Sequence, residues 1–189
     1  RGMFMVGAAP ALLVLFIRAR VPESPGWRAG VAVGAQKTAR IRRAIAGNWR
    51  RFLYAVALMT AFNFFSHGTH DLYPTFLREQ RELDSRIVGL IAVSYSIGAL
   101  VGGIFFGALS QRIGRRRTIV LAALLAIPLV PLWAFSTPVA LILVGSFLLQ
   151  FMVQGAWGVV PAHLNELSPP EVRGTFPGFT YQLGNLFAA

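Results

Sequence analysis

The sequence has 189 residues, of which 55% are hydrophobic and 13% charged, with 15 Phe and a mean hydropathy of +0.58. Soluble domains rarely combine these values, so an all-α polytopic membrane protein is expected rather than an enzyme. The net charge of +11 lies in short basic blocks between apolar runs. Because these runs have about the 20 residues that a bilayer requires, the charge indicates membrane topology and not nucleic-acid binding. The chain has no Cys, which excludes thiol catalysis and thiolate metal ligands, and no metal or cofactor is predicted.

The first apolar run, residues 1–17, is interpreted as the end of a transmembrane helix that a basic pair and two prolines stop at the membrane surface. A signal peptide is the alternative, but no small-x-small cleavage pattern precedes the arginines. Because the chain begins without Met and ends within an apolar run, both ends are expected to be truncated. A basic linker covers residues 18–51, in which Lys37 to Trp49 is predicted either as an amphipathic helix on anionic lipid or as a solvated loop.

The second apolar run, at about residues 52–77, carries polar groups that are costly in hydrocarbon, which favours a functional role for them. On a continuous helix of about 3.6 residues per turn, five of these groups fall within an arc of roughly 140°. Thr75 extends the arc, whereas Thr69 lies on another face. One polar stripe on a spanning helix predicts a water-filled path. The five residues are Asn63, Ser66, His67, His70 and Asp71.

His67 and Asp71 lie one helical turn apart on this stripe. Imidazole titrates near neutrality, so an imidazole beside a carboxylate suits the uptake and release of a proton. His67 can also donate a hydrogen bond to the carboxylate of a substrate. Asp71 lies about 12 Å along the helix axis from Asn63, in the outer part of the span. The alternative interpretation is therefore that Asp71 is a solvated residue at the mouth of the path.

Four further spans are predicted, at about residues 87–108, 118–134, 138–161 and 175–189. In the first of these, Gly-x-x-x-Gly pairs begin at Gly98 and Gly103, which predicts a close crossing with another helix. Two prolines predict a kink in the second. In the third, Gln150 and Gln154 share a face with Trp157 close by. These amides either line a cavity or bridge neighbouring helices.

Loops rich in Lys and Arg alternate with loops that are not. The segment 78–86, for example, holds three basic and three acidic residues, so its charges cancel. By the positive-inside rule, the basic loops are predicted to face the cytoplasm of a cell carrying the protein in its plasma or inner membrane. These cytoplasmic segments are residues 18–51, 109–117 and 162–174.

Two of these loops resemble loops of the major facilitator superfamily. The run G-A-L-S-Q-R-I-G-R-R-R at residues 107–117 is similar to the cytoplasmic signature G-x-L-x-D-R-x-G-R-R, with Gln111 in place of the Asp. The run E-L-S-P-P-E-V-R-G at residues 166–174 is similar to E-x-x-P-x-x-x-R-G. The resemblance implies the C-terminal half of a twelve-helix fold, with cytoplasmic gating loops that contain Gly107, Arg112, Gly114, Arg115, Arg116, Glu166, Arg173 and Gly174.

Residues 63–75 also resemble a narrower signature, N-x-x-[ST]-H-x-[ST]-Q-D-x-x-x-T, with His70 in place of the Gln. That signature belongs to the lactate/pyruvate:proton symporters of the sialate:proton symporter family, whose eleventh helix the run from Tyr181 to Asn185 also resembles. The resemblance implies proton-coupled symport of a small monocarboxylate by alternating access. The implied substrate and proton pathway comprises Asn63, Ser66, His67, His70, Asp71 and Thr75, and the candidates for lining the cavity are Gln150, Gln154, Trp157, Gln182 and Asn185.

The implied partners are a small carboxylate, the proton as coupling ion, the lipid bilayer and the missing N-terminal half of the same transporter. The first alternative is another substrate on the same fold: sialic acid, an aromatic acid or a sugar. The second is a membrane receptor that does not transport, or an inactive fragment. A polar stripe with two His and an Asp favours transport, since a receptor needs no path of titrating groups.

Overall fold

The computed structural model describes residues 14, 16–17, 19–20, 22 and 43–188. The chain divides into two compact units, Arg1–Arg43 and Ala44–Ala189. In the first unit the described residues 14, 16–17 and 19–20 are helical. Most of the predicted terminal helix and of the basic linker lies outside the described residues. The same holds for most of the predicted amphipathic helix, of which residues 43–47 are helical.

The second unit is helical, with no β-strand among its described residues. Two of its helices, Ser85–Ile113 and Val139–Leu167, have 29 residues each and are long and apolar enough to cross a bilayer. The helices Arg115–Ala126 and Leu129–Phe135 form a bent pair, which makes a third crossing if it counts as one span. The elements are α1 (Trp49–His70), α2 (Tyr73–Glu79), α3 (Ser85–Ile113), α4 (Arg115–Ala126), α5 (Leu129–Phe135), α6 (Val139–Leu167), a 3₁₀ turn (Pro170–Val172) and α7 (Phe176–Ala188).

The predicted span at 52–77 is not one continuous helix. Helix α1 ends at His70, and α2 begins at Tyr73 after a turn at Asp71 and Leu72. Pro74 explains the break, because it has no amide hydrogen to donate to the carbonyl of His70. The fixed φ of proline also suits the first turn of a new helix, which is where Pro74 lies. The polar stripe therefore reaches its end at this break.

The kink predicted in the span at 118–134 is confirmed, since α4 and α5 meet at 43°. Helix α3 is longer than the predicted 87–108, and both of its ends have a local cause. The Asp84 side chain accepts a hydrogen bond of 2.8 Å from the amide of Arg86, which caps the start of α3. Gly114 ends the helix with a φ of 92°, a conformation that residues with a Cβ rarely adopt.

Helix α6 is the centre of the second unit and contacts α1, α3, α4, α5 and α7. Its closest crossing is with α3, where Gly98 and Gly102 lie directly against the backbone of Phe147 and Phe151. The close crossing predicted from the glycine spacing is confirmed for this pair. In the second pair, Gly103 also lies close to α6, since a Cβ built at Gly158 would lie 3.2 Å from the Cα of Gly103, whereas no described atom lies within 4 Å of a Cβ built at Gly107.

Helix α2 is held firmly after the break. Tyr73 is 2% exposed, and its hydroxyl donates to the carbonyl oxygen of Trp133 at 3.2 Å. The Tyr73 ring also stacks on the Trp133 ring at a centroid distance of 4.6 Å. Arg81 Nη2 donates to the carbonyl oxygen of Ala134 at 2.6 Å. These contacts join α2 and the segment after it to the end of α5.

Helices α1 and α7 run side by side in the same direction. Phe52 packs against Phe176 and Phe179 at one end, and Gly184 lies against Met59 further along both helices. A Cβ at position 184 would lie 2.6 Å from the Cβ of Met59, so the helices approach closely there. This arrangement brings the polar end of α1 next to the end of α7.

Candidate functional site

The end of α1 carries a cluster of two imidazoles around one carboxylate. His67 Nδ1 lies 2.5 Å from Asp71 Oδ2, and His70 Nδ1 lies 3.0 Å from Asp71 Oδ1. A carboxylate only accepts hydrogen bonds, so each Nδ1 carries a proton in this arrangement. All three side chains are partly exposed, with exposed fractions of 53% for His67, 40% for His70 and 54% for Asp71. Three of the residues predicted for the pathway therefore form one hydrogen-bonded group on the surface of the second unit.

A cleft of about 330 Å³ opens beside this cluster, between α1 and α7. It is lined by His67 together with Tyr181, Asn185 and Ala188. The structure thus brings together His67 and Asn185, which the sequence placed in two separate motifs. Gln182, the other α7 candidate, is exposed and is not one of these lining residues. An imidazole, a phenol and an amide give this cleft hydrogen-bond donors and acceptors.

The other predicted pathway residues lie in three different settings. Asn63 is fully buried, and neither polar atom of its amide has a hydrogen-bond partner among the described residues. Ser66 Oγ accepts a hydrogen bond of 3.1 Å from Gln154 Nε2 of α6. Thr75 is exposed on α2, beyond the helix break. The phase calculated for a continuous helix therefore does not apply to Thr75.

Gln150 and Gln154 join α6 to α1. Gln150 is 1% exposed, and its Nε2 lies 3.1 Å from the carbonyl oxygen and 3.2 Å from Oγ1 of Thr69. Of the two interpretations of these amides, the hydrogen bonds match helix bridging. Trp157, on the same helix, stacks on Phe62 of α1 at 6.1 Å between ring centroids.

Tyr95 of α3 is a site residue that the sequence analysis missed. Its ring is 6% exposed and lies edge-on to the His70 ring, with 5.1 Å between the centroids. Edge-to-face contact of this kind orients the imidazole beside the carboxylate of Asp71. The signal in the sequence was weak, because a single Tyr three residues before Gly98 is ordinary in a membrane helix.

At the other end of the helices, two residues of the predicted gating loops meet. Arg115 Nε lies 3.0 Å from Glu166 Oε1, and Arg115 Nη1 donates to Ser110 Oγ at 2.5 Å. Arg115 therefore joins the start of α4 to the ends of α3 and α6. The other side chains predicted for these loops are exposed, namely those of Arg112, Arg116 and Arg173.

Removing the two partners of this ion pair is expected to have unequal effects. Arg115→Ala should lower the free energy of unfolding by roughly 1–2 kcal/mol, because the buried Ser110 hydroxyl loses its charged donor. Glu166→Ala should cost less than about 1 kcal/mol, because Glu166 is 56% exposed. Denaturation of both variants measures this, with the exposed Arg117→Ala as a control expected within about 0.5 kcal/mol of wild type. Equal losses at Arg115 and Glu166 would contradict the assignment.

Residues 42–189 match the family described as "Sugar (and other) transporter". The chain belongs to this family of the major facilitator superfamily. The family comprises transporters and not enzymes. The Saccharomyces cerevisiae "Carboxylic acid transporter protein homolog" is 37% identical over 160 residues, which are 82% of this chain and 25% of that protein. The Escherichia coli "Sialic acid transporter NanX" is 27% identical over 191 residues, 97% of this chain and 45% of that protein.

A third relative carries a sugar in its name. The Staphylococcus epidermidis "Glucose transporter GlcP" is 35% identical over 100 residues, which are 53% of this chain and 22% of that protein. The chain thus spans between about a fifth and a half of the length of these three relatives. The comparison with solved structures gave no match for this chain.

Proposed function

We propose that this chain belongs to a secondary transporter that carries a small monocarboxylate of the lactate or pyruvate kind together with protons, by symport and alternating access. One observation carries the proposal: His67 lines the cleft and at the same time lies 2.5 Å from the carboxylate of Asp71. One imidazole is thereby in reach of both a bound substrate and a proton-binding carboxylate. A shared group of this kind can couple the binding of substrate to the binding of a proton.

The proton chemistry follows from the cluster at the end of α1. When a proton is bound, His67 carries a positive charge in the cleft and attracts the carboxylate of a substrate. When the proton leaves, that attraction is lost and the substrate is released. His70 shares the carboxylate of Asp71 at 3.0 Å and gives the proton a second position. The cluster is partly exposed and is not closed off by the described helices, so that a proton can enter it from outside the second unit.

The chemistry of the cleft favours an acid over a sugar. Its polar lining consists of His67, Tyr181 and Asn185, all of which can donate hydrogen bonds to a carboxylate. The neighbouring acid, Asp71, is already hydrogen-bonded to two imidazoles. The relatives named for carboxylic acid and sialic acid agree with an acidic substrate, and the relative named for glucose keeps a sugar as the second candidate.

The proposal includes a second half-bundle of helices and the lipid bilayer as partners. The parts that match this chain make up 25%, 22% and 45% of the three named relatives, so most of each relative lies outside the match. In transporters of this superfamily the substrate binds near the midplane between two half-bundles, which rock about it. Residues 18–51, 109–117 and 162–174 are then cytoplasmic in the cell membrane, and the contact between Arg115 and Glu166 lies on that side.

Uptake measurements on the full-length transporter in proteoliposomes test the proposal. With acid outside, labelled lactate should accumulate several-fold, and a protonophore should abolish this accumulation. Excess pyruvate should inhibit the uptake, whereas excess glucose should leave it unchanged. Accumulation that survives the protonophore would remove the proton coupling. Inhibition by glucose, or by sialic acid but not pyruvate, would remove the monocarboxylate and leave the transporter with another substrate.

A further inference from the structure

We propose that Gln150 of α6 is a positioning residue that fixes the end of α1 and thereby holds the cluster of His67, His70 and Asp71 in place. The inference rests on the proposed function, because this cluster is the one assigned to proton coupling. Gln150 does not line the cleft and is 1% exposed, so it acts through α1 and not on the substrate.

The orientation of the Gln150 amide is set by its partner. Its Nε2 lies 3.1 Å from the carbonyl oxygen of Thr69, which can only accept a hydrogen bond. The amide nitrogen must therefore face Thr69, and its second hydrogen reaches Thr69 Oγ1 at 3.2 Å. Thr69 Oγ1 donates its own hydrogen to the carbonyl oxygen of Phe65 at 2.7 Å. In this series of three hydrogen bonds, from Gln150 through Thr69 to Phe65, each donor faces an acceptor.

Thr69 is the residue before the last one of α1. The last four carbonyls of a helix lack the donors that the next turn would supply, and they need partners from elsewhere when they are buried. In a continuous helix the donor to the Thr69 carbonyl would be the amide of Tyr73, but here Tyr73 lies beyond the turn at Asp71 and Leu72. Gln150 supplies a donor at this point from a neighbouring helix. The position at which α1 ends therefore depends on a side chain of α6.

In the sequence, the residues of the cluster lie on both sides of Thr69. His67 lies two residues before it, and His70 and Asp71 follow it directly. Helix α6 is a rigid support, since its backbone lies directly against glycines of α3. Proton transfer and binding depend on donor and acceptor positions, and a shift of about 1 Å can cost on the order of a hundredfold in rate. Anchoring Thr69 to α6 limits such shifts.

Two substitutions of Gln150 test this role in transport. Gln150→Leu keeps the approximate size but removes the donor, so proton-driven lactate uptake per transporter molecule should fall roughly 10- to 100-fold. The external pH at which uptake is half-maximal should also shift. In Gln150→Glu the side chain can donate to the Thr69 carbonyl only when it is protonated. The ratio of variant to wild-type uptake should therefore rise as the pH is lowered.

Hydrogen exchange provides a measurement that does not depend on transport. In Gln150→Leu the amide of Asp71, which bonds to the carbonyl of His67, should exchange roughly tenfold faster, the factor that corresponds to about 1.4 kcal/mol. Gln80→Leu is the matched control, because Gln80 is exposed at the end of α2. In this variant the hydrogen exchange near Asp71 and the lactate uptake should both match wild type.

The outcomes separate this inference from the proposed function. If wild type shows no proton-driven uptake of a carboxylate, the proposed function fails, and the exchange rates still decide whether Gln150 anchors α1. If wild type transports but Gln150→Leu keeps both its exchange rate and its pH profile, the positioning role is overturned. A loss of protein from the membrane with normal uptake per molecule would also overturn it, since that is a purely structural effect.

Discussion

Gly102→Ala is expected to be one of the most destabilising single substitutions in this chain, at about 3 kcal/mol or more. A Cβ at this position would lie 2.8 Å from the Cα and the carbonyl carbon of Phe151 and closer still to its carbonyl oxygen. These are backbone atoms of α6, so the overlap cannot be relieved by a side-chain rotation. Either α3 and α6 separate along their crossing or the backbone of α6 bends. Thermal unfolding of the detergent-solubilised protein measures the loss.

Gly89→Ala is the matched control for this prediction. It makes the same chemical change in the same helix, but no described atom lies within 4 Å of a Cβ at Gly89. Alanine is favoured over glycine inside a helix by roughly 1 kcal/mol, so this variant should be as stable as wild type or slightly more stable. Similar losses in both variants would mean that the crossing of α3 and α6 does not limit stability.

The glycine spacing predicts this crossing, but it does not identify the partner. Two Gly-x-x-x-Gly pairs follow one another in α3, and their spacing is the same. Only contact with a neighbour distinguishes them, and α6 lies directly against Gly98 and Gly102 while Gly107 has open space. The kink near Pro128 was predictable because proline acts locally. The break after His70 also follows from a proline, Pro74. It was not predicted, because the apolar run continues to Leu77 and was interpreted as one span.

Local spacing also explains which parts of the site were predictable. His67 and Asp71 are four residues apart on one helix, so their contact follows from helical geometry. Arg115 and Glu166 are 51 residues apart, and Thr69 and Gln150 are 81 apart. Such pairs depend on how helices pack against each other, which hydrophobic periodicity does not specify. Helical phase placed Thr69 on another face than the polar stripe, and only the packing of the helices shows that this face meets α6.

Asp71→Asn and His67→Ala are both expected to reduce proton-driven lactate uptake by the full-length transporter on the order of a hundredfold, the scale of a lost proton-transfer group. The two variants should differ, however, in the exchange of internal for external lactate. Exchange of internal for external lactate at equal pH needs binding and reorientation but no net proton transfer. His67 lines the cleft, whereas Asp71 is not among its lining residues. Asp71→Asn should therefore retain much of this exchange, and His67→Ala should lose it together with uptake.

The control for the change from carboxylate to amide is Asp84→Asn. Asp84 caps α3 outside the site, and Asn is a comparable capping residue, so stability, uptake and exchange should all match wild type. Wild-type lactate uptake in both Asp71→Asn and His67→Ala would contradict the assignment of the cluster to proton coupling. Loss of exchange in Asp71→Asn as well would instead place Asp71 in substrate binding. Because His67 lies both in the cleft and against the carboxylate of Asp71, the comparison tests whether His67 serves substrate and proton together while Asp71 serves the proton alone.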